Sequence, residues 1–350
     1  MLVFAAHVGL GERVPVLAGD LGVTIFFFLS GFIITTLLRL EFEKSGAVKI
    51  GYFWLRRALR ILPPFFLVVA AATLLALVLY PPGTVDLPTM RAELLFYANY
   101  WGICCLNREA PGTGVVWSLA VEEHFYLLFP LLYTAMQRYR MTRRRQALLL
   151  WGLCGVVLVW RCVLVLKLHA ASPRIFLATD TRVDAILFGC ALAVWNNPAL
   201  DPPGRFPPKF WKYLLLPAAL GTLVASVLLG GLTFKTTWYF SLQGLALTCL
   251  FQCAVRYPTW LPFRFLNWWP VILVGTLSYS LYLVHDVLLR AAGQLWPNHH
   301  GGQRAIMALG ASIAVAWMIH AFVERPCARL RKRFTREGLG ERRGGLRVTV

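Results

Sequence analysis

The stretch YFWLRRALRILPP (52–64) places three arginines between two long apolar runs. On a helix, Arg57 and Arg60 are three residues apart and Arg56 and Arg60 are four apart, so the three guanidinium groups can share one face. Their aromatic and aliphatic neighbours are typical of a membrane interface, and the two prolines break the helix or bend its entry into the next span. Two interpretations stay open: a cytosolic anchor that fixes topology, which is the commoner case, or a cradle for an anion, because guanidinium forks match phosphate oxygens.

The composition of the whole chain is that of a polytopic membrane protein. Of its 350 residues, 58% are hydrophobic and only 15% are charged, whereas soluble chains carry about a quarter charged residues. Basic loops beside apolar spans explain the net charge of +19 better than nucleic-acid binding does, so no nucleic-acid partner is expected. The eight cysteines include no CxxC pair and are interpreted as small apolar fillers, so no metal site is expected.

The apolar runs predict an all-α bundle of about ten transmembrane helices in the lipid bilayer. Residues 1–6 are too short to span it and are interpreted as the outer half of a truncated first helix that ends at His7. The other predicted spans are 21–38, 65–80, 117–136, 147–166, 181–195, 213–230, 238–255, 270–290 and 304–323.

The distribution of basic residues predicts the orientation. With the arginine cluster in the cytosol, the inner segments hold 25 of the 35 Lys and Arg residues, which predicts both termini on the cytosolic side of a bacterial inner or plasma membrane. Residues 1–326 form the predicted transmembrane domain, and residues 327–350 form a basic cytosolic tail that is expected to be disordered.

Ionisable residues within the predicted spans form two layers. Such residues are costly in a membrane and usually face a bundle interior or a wet cavity. The division suits a reaction between a cytosolic donor and a molecule outside. The outer layer contains His7, Asp20, Glu122, Glu123, Asp180, Arg182, Asp184 and His285, and the inner layer contains Arg56, Arg57, Arg60 and Glu324.

His7 is the candidate general base, because neutral imidazole near the working pH can take a proton from a hydroxyl. On its own it would be interpreted as an interfacial histidine at a helix end. Glu122 and Glu123 are about 100° apart on a helix, so one of them is expected to face the cavity of His7. His285-Asp286 is too short a signal to be a catalytic pair, because helical neighbours do not face each other.

Two later spans carry further candidates to line the cavity. Asp180 and Asp184 share a helix face, and Arg182 points away from it and needs a partner from another helix. An internal ion-pair network explains these three residues as well as a functional role does. Tyr282 and His285 are three apart and can line one cavity.

Seven stretches, taken in order, resemble the integral-membrane acyltransferase family 3, which O-acylates cell-surface carbohydrates and other exported molecules. Each stretch is modest alone, but together they cover nearly the whole chain in register. They are VFAAHVG (3–9), LGVTIFFFLSGFIIT (21–35), RRALRILPPF (56–65), WSLAVEEHFYLLFPLL (117–132), TDTRVDAILFGCALA (179–193), LSYSLYLVH (277–285) and VERP (323–326).

The resemblance implies roles at matching positions. His7 matches the family's catalytic histidine, and Glu122 matches the first acid of its WSLxvEe segment. Arg57 and Arg60 match its RxxR motif, which is associated with acyl-CoA on the cytosolic side, and Glu324 matches its ErP motif. Acyl-CoA carries several phosphate charges, so the resemblance favours the anion cradle over the anchor and implies acyl-CoA as the donor.

Two departures from the family pattern concern the first two helices. Thr24 stands where the family usually has an acid, and Asp20, one turn earlier on the same face, is the expected substitute. The arginine that the family usually places about three turns before its histidine has no counterpart in this chain. An inactive, truncated family member is therefore one alternative.

The predicted function is transfer of an acyl group, with acetyl expected, from cytosolic acyl-CoA to a hydroxyl of an exported or cell-surface glycan or similar acceptor. No bound cofactor is expected. The alternative from another class is a transporter or flippase of a surface glycan precursor, whose buried charges would line a path. The chain lacks the internal repeats of many transporters. The acceptor, the acyl chain length and the oligomeric state stay open.

Overall fold

The apolar runs form helices. The computed structural model describes residues 2–9, 19–105 and 109–338, and this part of the chain contains no strand. A 3₁₀ turn at Phe265–Asn267 and a π turn at His320–Glu324 connect helices. In chain order the helices are α1 (Leu2–His7), α2 (Gly19–Ser45), α3 (Ile50–Leu79), α4 (Leu87–Leu94), α5 (Ala98–Cys104), α6 (Val116–Arg138), α7 (Arg143–Leu166), α8 (Ser172–Leu177), α9 (Thr179–Val194), α10 (Pro208–Leu228), α11 (Leu232–Thr236), α12 (Tyr239–Arg256), α13 (Leu261–Arg264), α14 (Trp269–Thr276), α15 (Ser278–Leu295), α16 (Gly301–Ile319) and α17 (Arg325–Gly338).

Among the described residues, five helical segments are long and apolar enough to cross a membrane. They are α2, α3, α7, α10 and Gly301–Phe334, and α14 with α15 makes a sixth if the pair, bent by 73°, is one span. The predicted ten spans are therefore not confirmed. The helix α6 falls short because Glu122, Glu123 and His124 lower its hydropathy, and α9 has only 16 residues.

The central helix is α9, which is buried along most of its length from Thr181 to Val194. It packs against α2 through two glycines. A Cβ at Gly31 would overlap the carbonyl oxygen of Ile186, and a Cβ at Gly189 would overlap that of Phe28. The two backbones can approach this closely only because both positions lack a side chain, as is common where membrane helices pack.

A second packed region joins α3, α6, α15 and α16, and it holds the helices that carry the candidate site. Phe65, Leu119, Val284 and Ile319 are buried together there. The prolines of the arginine stretch lie inside α3 and do not end it. The arginine cluster and the predicted span 65–80 therefore belong to one continuous helix.

Residues 327–338 differ from the expected disordered tail, because they form most of the helix α17. This helix lies against α3, and the ring of Phe334 is 6.4 Å from that of Tyr52. Its sequence is strongly basic and amphipathic, so one face can pack while the charged face stays solvated. The predicted disorder of residues 339–350 falls outside the described residues.

Candidate functional site

The three arginines of α3 have different surroundings. Arg56 forms a salt bridge with Glu41 of α2. The guanidinium carbon of Arg57 lies 5.8 Å from the ring centre of Phe53 and 6.0 Å from that of Tyr126. Arg60 is exposed. The charge of Arg56 is thus paired with a carboxylate. Arg57 and Arg60 make no salt bridge among the described residues.

Two cavities flank this cluster, with volumes of about 310 Å³ and 300 Å³. Arg60 and Arg331 line both of them. The first also contains Arg56 and Arg57, and the second contains Arg325 of α17. A region with this density of guanidinium groups suits a ligand that carries several negative charges. Arg331 was not found from the sequence, because only the packing of α17 on α3 brings it here.

Glu324 lies on the wall of the second cavity. One carboxylate oxygen accepts a hydrogen bond of 2.5 Å from the Ser280 hydroxyl, and the other lies 2.7 Å from Nδ1 of His320. The glutamate therefore joins the start of α15 to the π turn after α16. Its contacts hold the cavity wall in place.

His7, at the end of α1, contacts two consecutive residues of α15. Its Nδ1 atom lies 3.2 Å from Nε2 of His285 and 3.7 Å from a carboxylate oxygen of Asp286. The two histidine rings stack with centroids 5.1 Å apart. The sequence does not indicate a pair of His285 and Asp286, because neighbours on a helix face different ways. The ring of His7 approaches from another helix and contacts both side chains.

The hydrogen bonds of His285 fix the tautomer of His7. Nδ1 of His285 lies 2.7 Å from the carbonyl oxygen of Tyr282. A carbonyl only accepts, so His285 carries its proton on Nδ1 and, when neutral, accepts at Nε2. His7 then donates from Nδ1 and keeps the lone pair on its own Nε2. This assignment follows from the bonding partners, and it leaves His7 with a basic nitrogen.

A polar cavity of about 320 Å³ opens beside His7. The side chain of His7 is 35% exposed, so the ring can reach a molecule bound there. Asp286 also faces this cavity and pairs with Arg290 at 3.2 Å. Indole rings of Trp101 and Trp117 form part of the wall.

Two further carboxylates line the same cavity. The sequence does not indicate them, because they lie in the connection between α3 and α6 and not in a predicted span. Glu93 is buried and accepts hydrogen bonds from the Thr113 hydroxyl at 2.5 Å and the Ala110 N–H at 3.3 Å. Burial raises the pKa of Glu93 to about 7. Burial also raises the pKa of Glu109.

Glu122 and Glu123 do not line this cavity. Glu122 is buried beside Ser30 and Tyr126, whose hydroxyls bond to each other, and one of its carboxylate oxygens has no partner among the described residues. Glu123 interacts electrostatically with Arg57. Neither glutamate contacts His7 in the described structure. The expectation that one of them faces the His7 cavity is therefore not met.

The helix α15 runs from the basic cavity at Glu324 to the polar cavity beside His7. Ser280, which bonds Glu324, and His285, which bonds His7, are five residues apart, or about 7.5 Å along a helix axis. Between them, the hydroxyl of Tyr282 lies 2.7 Å from that of Ser118 on α6. Tyr282 and His285 line one cavity of about 210 Å³, together with Val3 and Phe4 of α1.

The candidate residues of α9 do not form one network. Asp184 pairs with Arg161 at 2.7 Å, and both side chains are fully buried. Asp180 pairs with Arg174. The guanidinium carbon of Arg182 lies 3.5 Å from the ring centre of Phe240. Arg182 makes no salt bridge to either aspartate among the described residues, although Asp184 interacts with it electrostatically.

Asp20 and Thr24 both lie near Arg182. Nη2 of Arg182 donates to the hydroxyl of Thr24 at 3.3 Å. Asp20, at the start of α2, interacts electrostatically with the same arginine. Asp20 therefore supplies negative charge at this position, although it lies away from the described contacts of His7.

A family model described as "Acyltransferase domain" matches residues 1–321. Similar proteins include one from Staphylococcus aureus strain COL that is provisionally named an O-acetyltransferase, 27% identical over 340 residues, which are 92% of this chain and 53% of the relative. Another is the O-acetyltransferase OatA of S. aureus strain NCTC 8325, 28% identical over 282 residues, or 76% of this chain and 45% of the relative. The chain thus spans about half the length of the curated relatives it matches. No solved structure matches the chain.

Proposed function

The chain belongs to the acyltransferase family 3, and from this we propose that it transfers an acyl group, with acetyl expected, from acyl-CoA to a hydroxyl of an exported or cell-surface glycan. The observation that carries the proposal is the link along α15. A strongly basic cavity bordered by Glu324 and a histidine with a basic nitrogen are both bonded to α15, at Ser280 and at His285 respectively.

The basic cavities are the proposed donor site. The phosphate groups of acyl-CoA bind to Arg57 and Arg60 with Arg331 beside them, since guanidinium groups form paired, charge-assisted hydrogen bonds with phosphate oxygens. Arg56 acts mainly by its salt bridge to Glu41, which fixes α3 against α2. The thioester arm extends from this site along α15 towards His7.

His7 is the proposed general base. Its Nε2 atom takes the proton of the acceptor hydroxyl as the hydroxyl oxygen attacks the thioester carbonyl. The C–O bond forms, the C–S bond breaks, and the leaving thiolate receives the proton from the His7 imidazolium to give CoA. Asp286, 3.7 Å from His7, stabilises the imidazolium while it exists.

The proposed topology places the two cavities on opposite sides of the membrane. The arginine cluster and both termini lie in the cytosol of a bacterial cell, His7 lies towards the outside, and about ten segments enter the bilayer of the inner membrane. The wide polar cavity beside His7 holds the acceptor. The indole rings of Trp101 and Trp117 suit the apolar faces of sugar rings.

Release of free CoA from acetyl-CoA by the detergent-purified protein tests the proposal. Crude cell-envelope glycans serve as the acceptor, and the matched variant is Arg57→Ala/Arg60→Ala. We expect acceptor-dependent release by the unmodified protein and its loss in the variant. A protein that moves envelope glycans across vesicles and never consumes acetyl-CoA would instead be a transporter or flippase.

A further inference from the structure

A cavity of about 1120 Å³, larger than the cavities described above, shares no lining residue with them. It lies between α7 and α12, and Ala191 and Leu192 of α9 form part of its wall. The loop after α9, which contains Pro202 and Pro203, borders it. This loop and the start of α7 belong to the segments whose arginines indicate the cytosolic side.

Arg161 joins α7 to α12 at one end of the two helices. Towards the outer side, the guanidinium of Arg161 donates to the Thr237 carbonyl at 3.1 Å and to the Ser241 hydroxyl at 2.5 Å. Nearer the inner side, Trp151 and Cys249 face the cavity from the two helices. The crevice therefore lies away from the Arg161 contacts, at the other end of the two helices.

The walls of the crevice divide into an apolar interior and a basic rim. Trp151, Leu192 and Cys249 make the interior apolar, and Arg144 and Arg205 lie exposed on the rim. Neither rim arginine has an acidic partner among the described residues. The acid at the rim is Asp201, which is already bonded to Arg39 and Arg143. The rim therefore carries a net positive charge that a bound anion can balance.

A buried polar atom gives the second indication of a ligand. Gln252, on the wall of the crevice, is 2% exposed, and its side-chain oxygen has no hydrogen-bond partner among the described residues. Buried carbonyl groups of this kind are normally satisfied by a donor. The residue is near the inner end of α12, at the level where a lipid headgroup would meet the rim.

We infer that the crevice between α7 and α12 binds one anionic phospholipid with hydroxyl groups in its headgroup, of the phosphatidylglycerol type. The phosphate binds between Arg144 and Arg205, a headgroup hydroxyl donates to Gln252, and the acyl chains fill the space between Trp151 and Cys249. This site is separate from the proposed donor site. It gives the protein a specific contact with the cytosolic leaflet.

Native mass spectrometry of the detergent-purified protein, titrated with phosphatidylglycerol, tests this inference. We expect one tightly held lipid in the unmodified protein and binding at least roughly tenfold weaker in Arg144→Ala/Arg205→Ala, because charge-assisted contacts are lost. The matched control is Arg145→Ala, which removes one positive charge from the residue next to Arg144, outside the crevice. This variant should bind the lipid as the unmodified protein does. Cys249→Trp fills the crevice and should also abolish binding.

Three results would overturn the inference. They are equal binding of phosphatidylglycerol by the double variant and the control, equal retention of phosphatidylcholine by the unmodified protein, and unchanged binding in Cys249→Trp. Thermal unfolding of each variant shows that it is folded. Because the readout is lipid mass, the result is independent of acyltransferase activity.

Discussion

The Nδ1 atom of His7 lies 3.2 Å from Nε2 of His285, and this contact joins the short helix α1 to α15. Since His285 donates from its other nitrogen to the carbonyl of Tyr282, it accepts from His7. The base of the proposed reaction is therefore oriented by the imidazole of His285, and the carboxylate of Asp286 lies close enough to stabilise the charge that the reaction creates.

His7→Ala should lower the rate of acyl transfer by at least about 100-fold, since general bases contribute roughly 10²–10⁴. The side chain is partly exposed and lies at a helix end, so insertion into the membrane should not change. Ester formation on envelope glycans measures the rate, and membrane fractionation serves as the control. Full activity of this variant would rule out His7 as the base.

The role of His285 as a positioning residue is tested by a pair of substitutions. His285→Leu removes the acceptor for the His7 N–H, so we expect a lower kcat with an unchanged KM for acyl-CoA. In His285→Gln, the amide oxygen can accept the same bond and should restore much of the rate. If both variants lose activity equally, the residue serves packing and not the orientation of His7.

Arg60→Ala should raise the KM for acyl-CoA roughly 10- to 100-fold, because a charge-assisted hydrogen bond contributes about 1.5–3 kcal/mol. Steady-state kinetics at varied acyl-CoA measure the effect. The matched control is Arg138→Ala, an arginine on the same proposed side of the membrane, which does not line either basic cavity. An equal KM for the two variants would contradict the proposed donor site.

The connection that lines the polar cavity beside His7 should be most stable in acid. The pKa of Glu93 is raised by burial from about 4.5 to about 7, so the folded state holds the proton more tightly than the unfolded chain does. This contribution is complete below pH 4.5 and is lost as the pH rises through about 7. We therefore expect residues 109–115 to open more readily at pH 8 than at pH 6.

Hydrogen exchange of residues 109–115, compared with Glu93→Gln at each pH, measures this effect. The glutamine oxygen can accept the same bonds from Thr113 and Ala110 and does not ionise. The exchange rate of the unmodified protein divided by that of Glu93→Gln should therefore rise with pH. A constant ratio between pH 5 and pH 8 would contradict the assignment to Glu93.

Gly31→Ala and Gly189→Ala should each destabilise the fold strongly, because the added methyl group would overlap a backbone carbonyl of the facing helix. A backbone atom cannot turn aside as a flexible side chain can. Gly155→Ala is the matched control, since its methyl group would meet no atom within 4 Å. Thermal unfolding in detergent distinguishes them, and equal stability of all three variants would contradict the packing of α2 on α9.

The helical class and the family could be predicted from the sequence because they depend on local patterns. Apolar runs predict helices, and seven short stretches in order identify the acyltransferase family 3. The number of spans is harder to predict, since hydropathy alone does not separate a membrane crossing from a buried helix. The short, almost wholly buried α9 illustrates this.

Within the candidate site, the sequence indicates His7, Arg57 and Arg60 but not their partners. Asp286 could not be assigned because its relation to His7 depends on how α1 meets α15. Arg331 lies in a segment that was expected to be disordered. Glu93, in the short helix α4, and Glu109 lie between the predicted spans, where no sequence pattern indicated a site. In each case the missing information is tertiary packing between segments that are distant in the chain.

The central claim is that the donor and the acceptor reach the protein from opposite sides of the membrane. Proteoliposomes with the arginine cluster facing inward, loaded with radiolabelled acetyl-CoA and supplied with envelope glycans outside, test it most directly. We predict labelled glycan outside the vesicles, with no label when His7→Ala or Arg57→Ala/Arg60→Ala replaces the unmodified protein. Labelled glycan that forms only when both substrates are on the same side would contradict the account.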